Sequence, residues 1–105
     1  MKQFIVVAYD AKDEGAHERR MQTRKAHVDS ISSLRDTGNI ICGVAITDDS
    51  GKMIGSVVVT NFESRATFDT WLAEEPYVKG NVWGDITVLN GEIGPSFADL
   101  IKKAS

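Results

Sequence analysis

The stretch TRKAHVDSI, Thr23 to Ile31, holds a histidine and, two residues on, an aspartate. An imidazole next to a carboxylate is the usual equipment for moving a proton at neutral pH. The flanking residues read as an amphipathic helix, and on a helix the spacing decides the matter. With Val28 set at zero and about 100° per residue, Ile31 and Leu34 fall near -60° and -120°, and Met21 near +20°. The apolar stripe therefore centres near -60°, with His27 at about -100°, Arg24 at about -40° and Arg20 at about -80°. Asp29 falls at about +100°, facing solvent, so His27 and Asp29 are not a pair.

The C-terminal half of the inward stripe is apolar, whereas its N-terminal half presents Arg20, Arg24 and His27. Burying such groups costs several kcal/mol (about 3 or more) unless each finds a partner, which implies a polar cavity holding a carboxylate or an anion. For Arg20, nearer the helix start, snorkelling along the core edge to solvent is the favoured reading. An acid for His27 has to come from another element. The segment AEEPYVKG offers Glu74 and Glu75 immediately before Pro76, and a residue preceding proline is pushed out of helical geometry, which turns the Glu75 side chain in a fixed direction. A carboxylate on one ring nitrogen fixes the tautomer and leaves the other nitrogen as a base.

Other candidates are weaker. Ser56 follows Gly55 in an apolar run, where a glycine marks a bulge or a close approach. Tyr77 packs after the Pro76 stop, and His17 reads as solvated at the helix entrance. The one cysteine, Cys42, lies in the run NIICGVAI and reads as a buried, inert thiol. No nucleophile elbow, phosphate loop or dinucleotide fingerprint occurs. A metal site from His17 and His27 is disfavoured, since they lie about 80° apart and nearly three turns distant. No metal and no cofactor is expected.

The elements that must position these residues are legible in turn. QFIVVAY, Gln3 to Tyr9, is a strand apolar on both faces; a helix runs from about Glu18 to Asp36 and stops at Gly38-Asn39. NIICGVAIT and MIGSVVVTNF are strands joined by the turn-rich DDSGK. Ser64 caps the helix RATFDTWLAEE, VWGDITVL is the fourth strand, and the tail 91–105 holds one helical turn from Phe97. The order β-α-β-β-α-β predicts an α+β, ferredoxin-like protomer with an antiparallel four-stranded sheet and both helices on one face. The chain reads as one domain over residues 1–105, with its core at about 2–90. The second sheet face would be an exposed apolar patch, and a two-fold homodimer with sheets face to face covers it.

Composition narrows the rest. The chain has 105 residues and a net charge of -3, with acids and bases intermixed. No basic run tracks a nucleic acid or an anionic membrane, and the N-terminal apolar run is too short for a signal peptide or a membrane span. A cytoplasmic location fits. An RNA-binding domain of the same topology would show aromatics on its third strand, where this chain has aliphatics.

TRKAHVDSISSLRDTGNII followed by IGSVVVTNFESRATFDTWLAEEPYV resembles the YCII-related family. That family carries Arg-x-x-His on its first helix, Gly-Ser in its third strand and Asp-Pro-Tyr after its second helix. The resemblance implies a dimeric α+β barrel, with a site at His27 and Glu75 and with Arg24, Ser56, Pro76 and Tyr77 at the matching positions. Glu75 stands where the family has aspartate, Val44-Ala45 where it often has Gly-Pro, and Leu89-Asn90-Gly91 where it has Lys-Pro-Phe. Some relatives act in the degradation of chlorinated aromatics, and the wider superfamily holds isomerases, monooxygenases and lyases. The leading expectation is a small cofactor-independent enzyme of lyase or isomerase type. Its substrate would be a small anionic or aromatic molecule, with His27 as base or acid, Glu75 its orienter and Arg24 an anion clamp. The alternatives are a ligand-binding or regulatory dimer with the same pocket and no turnover, and a purely structural dimer.

Overall fold

The structure is a computed structural model that describes residues 1–101; the last four residues of the expected tail, 102–105, lie outside the described residues. The chain runs β1 (Lys2–Asp10), α1 (Ala16–Thr37), β2 (Ile40–Thr47), β3 (Met53–Phe62), α2 (Arg65–Glu74), α3 (Pro76–Lys79) and β4 (Trp83–Gly91). A 3-10 helix follows at Pro95–Leu100, covering the expected turn at Phe97. The sheet is antiparallel with order β2-β3-β1-β4, the ferredoxin-like arrangement.

Local chemistry sets the boundaries. α1 ends where Gly38 adopts φ 88°, and the N–H of Asn39 reaches back to the Leu34 carbonyl, a Schellman closure that the left-handed glycine permits. α2 begins at a capping box in which Ser64 and Thr67 satisfy each other's backbone N–H groups. It stops before Pro76, and α3, a single turn the sequence reading did not separate, starts with that proline at its first position.

The sheet's two faces follow from strand period. Phe4, Val6 and Ala8 of β1 pair with Thr60, Val58 and Ser56 of β3, and all six are buried beneath the helices. Phe68 of α2, fully buried, closes this core against Phe4 and Phe62 at ring distances of 4.8 and 5.8 Å. Burying such a ring contributes about 2–3 kcal/mol. The opposite face carries Ile5, Val7 and Tyr9 in register with Val59, Val57 and Gly55, and Cys42 and Val44 of β2 align with Val59 and Val57. Val44, Tyr9 and Leu89 are well exposed there. Cys42 is exposed too, which corrects the expectation of a buried thiol: it aligns with Val59 on the sheet face opposite the helices, while Ile40 and Ile41 of the same run are buried.

Candidate active site

α1 lies across the sheet less squarely than its apolar stripe suggests. Arg20 is buried and Ile31 and Leu34 pack against the core, while Val28 and Met21 are 41% and 49% exposed. The inward direction is thus rotated from the stripe's centre toward His27. The reason lies on the strands below, where Gly43, Ala45 and Ser56 leave a hollow instead of side chains for Val28 to pack on. That hollow is a cavity of about 220 Å³ between α1 and the β2–β3 half of the sheet, lined by Arg20, Arg24, His27, Ser56, Tyr77 and the two small β2 residues among others.

His27 and Glu75 meet at one wall of the cavity, His27 Nδ1 against Glu75 Oε1. The pro-proline position explains the geometry: Glu75 has φ -60° and ψ 128°, ending α2 and capping α3 at once. Its Oε1 also accepts the Tyr77 backbone N–H at 3.2 Å. A carboxylate oxygen accepting from two sides assigns a proton to His27 Nδ1, so that in the neutral ring Nε2 carries the lone pair. Glu75 is fully buried, and its Oε2 has no partner among the described residues. The Tyr77 ring stacks under His27 with centroids 4.0 Å apart and planes 10° from parallel, and Trp83 meets the imidazole edge-on at 6.0 Å. Burial pushes the Tyr77 phenol up from its ordinary value, against the pull of the Arg20 and Arg24 charges.

A second polar group adjoins this pair. Arg20 Nη1 donates to Asp10 Oδ1 at 2.8 Å, and Arg20 Nη2 to Ser56 Oγ at 2.9 Å. Trp83 Nε1 donates to the same Ser56 Oγ at 3.1 Å. The Arg20 guanidinium lies over the Tyr77 ring, 4.9 Å from its centre. Burial raises the Asp10 carboxyl above its ordinary value, and the neighbouring Arg20 opposes this. Arg20 therefore does not snorkel: an ion pair, a hydroxyl and an aromatic face hold it inside. Gly55, beside Ser56, marks a close approach, since a Cβ there would lie 2.4 Å from the Ala8 carbonyl oxygen.

The structure thus brings His27, Glu75, Ser56 and Tyr77 together, with Arg24 exposed on the cavity's rim. Asp29 pairs with Lys25 in solvent. His17 is half-buried, not solvated, with Nδ1 unpartnered among the described residues. Asp10 and Trp83 were not anticipated. Asp10 had a signal, because it continues the inward alternation Phe4, Val6, Ala8; Trp83 had none beyond its strand. Among the described residues no group of three histidine, cysteine or acidic side chains is placed to hold a metal ion, and no helix is long and apolar enough to cross a membrane.

Comparison with known proteins gives the geometry a context. The model of the YCII-related domain matches residues 2–91. Protein YciI of Escherichia coli O6:H1 is 28% identical over 91 residues, which are 81% of this chain and 91% of the relative. An uncharacterized protein of Haemophilus influenzae is 27% identical over the same shares. Among solved structures, the fold is shared with 5-chloro-2-hydroxyhydroquinone dehydrochlorinase (TftG) of Burkholderia phenoliruptrix AC1100, solved with 2,5-dihydroxybenzoquinone. Its TM-score is 0.75 at 19% identity, over 90% of this chain and 97% of that one. A dimeric ferredoxin-like protein of unknown function from Jannaschia sp. CCS1 aligns with TM-score 0.51 at 17% identity, over 89% of this chain and all of that one.

Proposed function

The chain belongs to the YCII-related family, and on that footing we propose that it is a small cofactor-independent enzyme that moves protons on a small aromatic or anionic molecule. The reaction is of lyase or isomerase type. His27 takes a proton through Nε2, Glu75 holds the ring in the required tautomer and stabilises the imidazolium that forms, and the proton is returned to another carbon or remains while a leaving group departs with its electron pair. Arg24 attracts an anionic group at the rim, and Ser56 and Tyr77 contact the substrate. The observation that carries this reading is the buried His27–Glu75 contact at the wall of a cavity.

The cavity's size supports a one-ring substrate, because about 220 Å³ falls below the roughly 300–1,000 Å³ of sites for drug-sized ligands. The fold likeness to a dehydrochlorinase is in keeping with elimination chemistry. We also infer a homodimer joined through the exposed sheet faces, as the dimeric description of one structural neighbour suggests.

Incubation of a metabolite extract with wild type, His27→Ala and Glu75→Gln tests the proposal. A compound altered by wild type alone, with nitrogen NMR reporting the Nδ1–H tautomer of His27 in wild type and a tautomer mixture in Glu75→Gln, is the expected result. Retention of a compound without change favours a ligand-binding module, and an unchanged tautomer in Glu75→Gln removes the pair.

A further inference from the structure

The ion pair of Arg20 and Asp10 stands between two cavities. Arg20 lines the one at His27, whereas Asp10 lines a second, of about 700 Å³. The end of β1, the loop after it, the first turn of α1, the start of β3 and Asp85 of β4 enclose this second space. The Asp10 side chain is only 8% exposed, and Arg20 occupies its Oδ1 at 2.8 Å. Its Oδ2 is buried without a partner among the described residues, and so is Nδ1 of His17, which lines the same cavity. The two side chains are near enough for charge on His17 to draw the Asp10 carboxyl down. A buried polar atom without a partner is costly, and here two accumulate at one place. Both can accept, the carboxylate oxygen always and the imidazole nitrogen in the tautomer protonated at Nε2. What they lack in common is a donor.

The remaining walls restrict what that donor is. Among the described residues no three histidine, cysteine or acidic side chains are placed to hold a metal ion, so the donor is an organic group. Asp10, Asp13, Glu14 and Asp85 stand against Lys12 and Lys52, with Asp13 already engaged by Arg19, which leaves a small negative excess. Tyr9, Met53 and Ile54 add apolar surface, and Tyr9 is 47% exposed. The volume is that of a site for a small organic ligand. From this we propose that the second cavity binds a primary ammonium group carried on a small apolar body, as in an arylalkylamine, with N–H groups donating to Asp10 Oδ2 and His17 Nδ1. A turn of the half-buried His17 ring, in the first turn of α1, opens Oδ2 to the ligand. The Tyr9 ring offers its face to the cation or its body. The first cavity presents Arg20 and Arg24 instead and repels such a ligand, so the two spaces differ in the charge they accept.

Phenethylamine, charged at neutral pH, is the probe. Trimethyl(phenethyl)ammonium keeps the charge and lacks N–H donors, and phenylacetate reverses the charge. The chain has two histidines, one at each cavity, so NMR of the two rings reports which cavity is filled. Phenethylamine is expected to move the His17 signals saturably and to leave those of His27 in place. The methylated probe should bind about tenfold more weakly, the loss of a charge-assisted hydrogen bond, and phenylacetate should leave His17 unmoved. Asp10→Asn, whose amide oxygen keeps Arg20 and turns N–H groups to the cavity, should weaken the amine by at least as much, with circular dichroism verifying its fold. If that variant is unstable, His17→Phe keeps a ring and removes the acceptor, with saturation-transfer NMR of the amine as the readout. A His17 ring unmoved by phenethylamine, movement of His27 instead, equal binding of either comparison probe, or undiminished affinity in folded Asp10→Asn or His17→Phe would overturn the assignment. Since His27 and Glu75 take no part, His27→Ala should bind the amine as wild type does, whatever becomes of the acid–base reading.

Discussion

Arg20 and Tyr77 are joined face to charge: the guanidinium carbon sits 4.9 Å from the centre of the phenol ring that stacks on His27. The imidazole is therefore oriented by two contacts, the Glu75 carboxylate at Nδ1 and the stacked Tyr77 ring. A ring between a cation and an imidazole contributes packing that a smaller side chain cannot replace.

Tyr77→Phe keeps that surface and should cost less than about 1.5 kcal/mol, with the His27 tautomer unchanged. Tyr77→Ala removes it and should cost about 3–5 kcal/mol by urea denaturation. Equal losses in the two variants would show that the hydroxyl, and not the ring, matters.

The Asp10 carboxyl titrates above its ordinary value of 3.8, so the folded chain holds a proton that the unfolded chain has released. Its contribution to stability is then complete below 3.8 and declines as pH rises through the folded value. Asp10→Asn, whose amide oxygen still faces Arg20, has no such decline. Urea midpoints across this range should show the variant gaining on wild type as pH rises. A variant that falls further behind with rising pH would mean that the ion pair outweighs the burial.

If two sheets meet face to face, Val59 sits at their centre, since it aligns with Ile5 on one side and Cys42 on the other. Light scattering should then give a dimer for wild type and a monomer for Val59→Lys. The same substitution should speed modification of Cys42 by a thiol reagent. A monomeric wild type sinks the face-to-face arrangement.

The fold was readable because its signals are local: short apolar runs at β1 and β3, Gly38 after α1, Ser64 before α2 and Pro76 after it. Half of the site was readable for the same reason, as Pro76 dictates the backbone at Glu75, and helical spacing separates His27 from Asp29. What escaped depends on contacts made across the sheet. Arg20 stands two turns before His27 on the same face, yet only the presence of Asp10 and Ser56 beneath it decides that it stays inside. The rotation of α1 about its axis, which leaves Val28 exposed, follows from the small residues at 43 and 45 on a strand distant in sequence. Trp83 reaches Ser56 past the whole width of β1, a relation that no pattern in either strand encodes.

α2 is held at both ends, by the Ser64 cap and by the break at Pro76, with Phe68 anchored in the core between them. Its ten residues act as a ruler that delivers Glu75 to His27. One residue inserted or removed would swing the acid about 100° around the helix and shift it about 1.5 Å along the axis. On the outward side of α2 the constraint thus falls on length more than on identity, and substitutions there should be tolerated where a single insertion is not.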